Sequence, residues 1–109
     1  SQARHAMALG RLDDAARPLT DGEIDAGVAR ASGALTDCVR QAGGGTDFRG
    51  ELTLEARVTA AGRVDAVRVR APRYFHDQGL GTCLRRAAGR FGFPATGQAT
   101  RVTLPLTMQ

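Results

Sequence analysis

The sequence predicts an α+β domain of α-β-β-α-β order, in which a three-stranded antiparallel sheet ordered 2-1-3 carries two helices on one face. Residues 50–71 alternate as an amphipathic hairpin, residues 20–43 hold a single apolar helical stripe behind a capping sequence, and residues 100–108 alternate once more. A hairpin of this kind is not stable alone in water, so the flanking segments have to supply a third strand and a cover.

In chain order, residues 1–19 read as a linker, with one short turn around Met7, Leu9 and Leu12 bracketed by Gly10 and Pro18. Domain structure is expected from residue 20 to residue 109. Thr20-Asp21-Gly22-Glu23 has capping-box spacing, a hydroxyl followed three residues later by a carboxylate. Ile24, Val28, Ala31, Leu35 and Cys38 then recur in steps of four, three, four and three, which is one stripe of a helix that Gly43-Gly44-Gly45 ends. In the hairpin, Leu52, Leu54, Ala56 and Val58 alternate with Thr53, Glu55 and Arg57. The turn Thr59-Ala60-Ala61-Gly62 leads into Val64-Asp65-Ala66-Val67-Arg68-Val69-Arg70. Val64 and Val67 differ in parity, which predicts a bulge near Asp65 or Ala66.

Pro72-Arg73-Tyr74-Phe75-His76 reads as a loop, and Asp77 as the N-cap of a second helix. Its stripe is Leu80, Cys83 or Leu84, Ala87 and Phe91, and Pro94 and Gly97 close it off. Gly79, Gly81 and Gly89 weaken this helix by about 1 kcal/mol each relative to alanine, so tertiary packing must hold it. Val102, Leu104, Leu106 and Met108 point one way from the last strand, and Arg101, Thr103, Pro105 and Thr107 the other. A right-handed crossover from strand 2 sets that strand beside strand 1.

The two cysteine-bearing stripes then face each other over one sheet. Cys38 and Cys83 are expected to bond, closing a loop of about 45 residues, with two buried free thiols as the alternative. A bond would place the domain in an oxidising compartment.

Composition bounds function. All 15 basic residues are arginine, spread from Arg4 to Arg101, and 11 acidic residues are interspersed for a net charge of +4. A nucleic-acid partner would call for positive charge gathered on one face. The open sheet face is expected to show Thr53, Glu55, Arg57, Arg68, Arg70, Arg101 and Thr103, without the aromatics on which RNA-recognition sheets stack bases. Charge pairing of Glu55 with neighbouring arginines across strands is the simpler expectation. No nucleic-acid partner is therefore expected.

No apolar run approaches ~20 residues, so no span of a membrane is expected. Ser1-Gln2-Ala3-Arg4-His5 lacks the basic start and apolar block of a signal peptide. The missing initiator methionine leads us to expect a piece of a longer protein.

Catalysis is not expected. Of the two histidines, His5 lies in the linker, and His76 stands near Asp77 and a Cys83 assigned to a buried stripe, where a reactive thiol does not belong. Asp13-Asp14 sit in the linker with nothing to position them. Gly43-Gly44-Gly45 follows a helix and precedes a strand, the reverse of a phosphate loop. No metal site and no cofactor are expected. Tyr74, Phe75 and Phe93 are expected to cap the core, with a partner-facing patch as the alternative.

The order of parts carries a resemblance. Gly50-Glu51-Leu52-Thr53-Leu54 turns into Gly62-Arg63-Val64-Asp65-Ala66-Val67. A helix with Leu84-Arg85-Arg86-Ala87 ends at Phe91-Gly92-Phe93-Pro94, and Val102-Thr103-Leu104-Pro105-Leu106 follows. Over residues 20–108 this resembles the C-terminal domain of TonB, the periplasmic energy transducer of Gram-negative bacteria. It is most similar to the TonB-like domains that end myxobacterial gliding-motility and related envelope proteins, which also carry a cysteine in each helix. The chain departs from TonB proper at Leu19-Thr20-Asp21-Gly22, where a Tyr-Pro pair is usual, and at Phe91, where Trp is common.

The resemblance implies a non-enzymatic periplasmic tip whose upstream region sits in the inner membrane beside a proton-driven motor. It implies an outer-membrane or periplasmic protein partner, held by strand addition, and a role in transport or motility. In order 2-1-3 the last strand is an edge, so Arg101, Val102, Thr103, Leu104, Pro105, Leu106 and Thr107 are the expected partner-binding residues. Pro105 lacks an N–H, so its nitrogen must face away from strand 1, and this either restricts the guest's register or blunts the edge against aggregation. A purely structural envelope or secretion-complex domain is the alternative.

Overall fold

The computed structural model describes residues 15–43 and 50–108; the linker expectation for residues 1–14, with His5 and Asp13-Asp14, and the side chains of Gly50 and Met108 lie outside them. Its elements are α1 (Asp21–Ala29), α2 (Ser32–Gly43), β1 (Gly50–Val58), β2 (Val64–Arg70), α3 (Arg73–Asp77), α4 (Leu80–Ala88) and β3 (Thr100–Met108). The strands form one antiparallel sheet ordered β2-β1-β3, as expected.

β1 is the centre of the sheet and of the core. Leu52, Leu54, Ala56 and Val58 point to the helix side and are at most 2% exposed, which strict alternation on a half-covered strand requires. The expected bulge is present: Arg57 pairs with Ala66 and Val58 with Val64, leaving Asp65 as the extra residue. Gly62 closes the turn with φ +90°, and a Cβ there would lie 2.5 Å from the carbonyl oxygen of Phe93. The position therefore requires glycine twice over, for its conformation and for its space.

The first helix departs from expectation by breaking in two. Gly27 is buried where a Cβ would overlap the Phe93 ring, and its carbonyl accepts the Gly92 N–H at 3.2 Å. With that acceptor taken by Gly92, the Ala31 N–H donates instead to Val28 at 2.9 Å, and the helix restarts at Ser32. The stripe survives the break. Ala31, Leu35, Cys38 and Ala42 are buried, and Ile24 and Val28 are packed against the core at partial burial.

The second helix corrects another expectation. The segment assigned to a loop forms α3, whose N-cap is Pro72, and Asp77 ends that helix rather than capping the next. Phe75, 2% exposed, anchors α3 in the core, and Gly79 at φ +87° turns the chain into α4. Leu80, Leu84, Ala87 and Phe91 are buried as the stripe demands, while Cys83 lies at its margin.

The N-terminal approach is bound to the domain before residue 20. Leu19 is buried and donates its N–H to Thr100 Oγ1 at 2.9 Å, and Arg17 donates its N–H to the Thr96 carbonyl at 3.1 Å. The capping box forms as read: Glu23 N–H donates to Thr20 Oγ1, and Thr20 N–H donates to Glu23 Oε1. Arg17 closes on the same carboxylate with both guanidinium nitrogens, at 2.8 and 2.9 Å. The Arg17 hydrogen bond, then that of the Thr20 backbone, lowers the Glu23 pKa from 4.5 to about 2.

Cys38 of α2 and Cys83 of α4 are bonded, with Cα atoms 5.7 Å apart and a sequence separation of 45. The Cys38→Ser/Cys83→Ser variant is expected to lose about 4 kcal/mol of stability in urea unfolding. Intact mass should rise by two hydrogens when the denatured chain is reduced. Because the Glu23 pKa is depressed by folding, its stabilisation is whole above the ordinary carboxylate pKa and fades as pH falls toward about 2. Glu23→Gln should flatten the unfolding midpoint between about pH 4.5 and 2, and salt should shrink the difference because the pair is solvent-facing.

Candidate functional site

The site is built on β3, which runs beside β1 without a register break from Met108 opposite Gly50 to Thr100 opposite Val58. Alternation decides what the outer side offers. In an antiparallel strand each residue's N–H and C=O point to one neighbour, and the next residue's point to the other. Pro105 has no N–H to give, and a ladder next to β1 tolerates it only with its nitrogen outward. Val102, Leu104 and Leu106 therefore bond inward to β1. The N–H groups of Arg101, Thr103 and Thr107, with the carbonyls of those residues and of Pro105, face out. Among the described residues no other element hydrogen-bonds to them.

β2 is the other edge and a poorer template. It is shorter, seven residues against nine, and the bulge at Asp65 interrupts it. Bulges and short strands are the means by which edges are blunted against added strands.

The residues expected to bind a partner thus fall into two sets. Arg101, Thr103, Pro105 and Thr107 are exposed on the open face; Val102 is buried on the helix side, with Leu104 and Leu106 half-buried beside it. On the open face Glu55 Oε2 lies 3.6 Å from Arg70 Nε, and Asp65 Oδ1 lies 3.9 Å from Arg57 Nε. The expected charge pairing of Glu55 is there, reaching diagonally to Arg70 while Arg68 is its direct neighbour. Arg57 and Arg101 stand directly opposite one another. That juxtaposition is set by the register between the two strands, which alternation within either strand does not fix.

The aromatics divide. Phe75 is buried, and Phe93 packs edge-to-face on Phe91 with centroids 5.8 Å apart, so both belong to the core. Tyr74 is 50% exposed, resting edge-on against Phe75. Cys83 is bonded and His76 exposed, so the thiol site weighed from sequence does not form. Among the described residues no group of three or more His, Cys, Asp or Glu is placed to hold a metal ion, and no helix is long and apolar enough to cross a membrane.

Pro105→Val would return an outward N–H to the middle of β3 and extend its outward row. That variant is expected to self-associate where the parent chain stays dispersed, by sedimentation velocity at matched concentration; an unchanged sedimentation profile would remove the edge-blunting role.

Compared with family models, curated proteins and solved structures, the chain matches none.

Proposed function

We propose that the chain is the periplasmic protein-interaction domain of a TonB-like energy or force transducer. In this reading it links an inner-membrane motor, through the upstream part of a longer protein, to an outer-membrane or periplasmic partner by strand addition at β3. The observation that carries the reading is the outer side of β3: nine residues in unbroken register with the central strand, and outward N–H and C=O groups that no described residue takes up. A guest backbone laid there gains main-chain hydrogen bonds from the edge and side-chain contacts from alternate residues. The Cys38–Cys83 bond supports the assignment to an oxidising compartment, where such bonds persist. A domain serving only as a structural part of the envelope would use the same fold without responding to the motor.

The test separates these roles. A photo-crosslinking residue at Thr103 or Thr107 of the full-length protein in its own cells is expected to trap one defined envelope protein. The same residue at Arg68 on β2 is expected to trap none. The Thr103 and Thr107 yields should change when a protonophore collapses the proton gradient. Adducts at Thr103 and Thr107 that ignore the gradient would assign the domain a structural role, and adducts confined to β2 or the helices would refute strand addition at β3.

A further inference from the structure

The register across the sheet sets out what an added strand would meet. On the open face the side chains stand in rows: Ala66, Arg57 and Arg101, then Arg68, Glu55 and Thr103, then Arg70, Thr53 and Pro105. Both carboxylates that pair on this face are engaged between β1 and β2, Glu55 of β1 with Arg70 and Asp65 of β2 with Arg57 across the bulge. β3 holds no acidic residue from Thr100 to Met108. Arg101 is exposed, makes no ion pair among the described residues, and faces Arg57, a like-charged opposition that disfavours the pair. Between Arg57, Arg68 and Arg101 the small Ala66 leaves a shallow depression, bordered by these three arginines and by Glu55, whose carboxylate pairs with Arg70. On the other side of β3, Leu104 and Leu106 remain half-buried at the margin of the core.

Resting on the strand-addition reading above, we infer that the segment completing this sheet is an acidic, alternating peptide. One carboxylate stands beside Arg101, and aliphatic side chains cover Leu104 and Leu106. The carboxylate accepts hydrogen bonds from a planar guanidinium fork and offsets the Arg57–Arg101 repulsion, which a basic side chain in that place would compound. The alternation follows from the strand period: residues of the guest two apart face Arg101, Thr103, Pro105 and Thr107, and the residues between them fall over the leucines. Charge thereby also fixes the guest's register, since one-residue slippage would move its carboxylate to the apolar side.

The test is amide-shift titration of the isotope-labelled chain with two synthetic nine-residue peptides of alternating valine and threonine. One ends in glutamate on both sides, so that either strand direction sets a carboxylate beside Arg101; the other ends in lysine. The glutamate peptide is expected to bind about five- to tenfold tighter, with the largest shifts over residues 101–107. Arg101→Glu should invert that preference. Arg68→Glu makes the same change in net charge on the far strand and should keep the parent order. Equal affinities with shifts on β3, or inversion by Arg68→Glu as complete as by Arg101→Glu, would overturn the acidic assignment and leave strand addition standing. Shifts on β3 with neither peptide would overturn strand addition at this edge and this inference with it.

Discussion

The domain depends on β1 having both of its edges and one of its faces fully used. β2 and β3 take its hydrogen-bonding groups on either side, and its helix-facing side chains are almost sealed from solvent. Leu52, Leu54, Ala56 and Val58 are each at most 2% exposed, and a small domain has little apolar burial to spare. The helices cannot reach this strand by propensity alone, because α4 is flanked by Gly79 and Gly89 and α1 carries the buried Gly27. They are held there by packing and by the Cys38–Cys83 bond, which ties α2 to α4 above the sheet. The free edge of β3 is a by-product of the same arrangement: with β1 in the middle, a sheet of three strands must end somewhere.

A second junction works by exclusion rather than attraction. The segment from Phe91 to Pro94 lies against α1 at Gly27 and against the hairpin turn at Gly62, and both contacts exist only because a side chain is missing. The close backbone approach diverts the Gly27 carbonyl to Gly92 and breaks the helix there. One short stretch thus marks where the first helix breaks, where the turn sits and where the path into β3 starts.

These particulars explain what the residues disclosed unaided and what they hid. The hairpin, its bulge and the strand order follow from local parity and crossover geometry, so Val64, Val67 and the alternation of 100–108 were enough. The break at Arg30 depends on Gly92, more than sixty residues away, and no window around the helix contains it. Asp77 looked like an N-cap because aspartate favours that place, but burial of Phe75 pulled the preceding residues into a helix and left the turn to Gly79. The edge position of β3 was legible from the order of strands. The opposition of Arg57 to Arg101 was not, because it is a property of register across two strands and not of either strand alone.

The bonds at Arg17 and Leu19 join two parts of the chain that are about eighty residues apart in sequence. Arg17 holds the Thr96 carbonyl and Leu19, a core residue, holds Thr100 Oγ1, so the chain entering the domain is fastened next to β3. The Arg17–Glu23 fork fastens the same segment to the first turn of α1. The entry of the domain and the head of its edge strand are thereby tied into one unit.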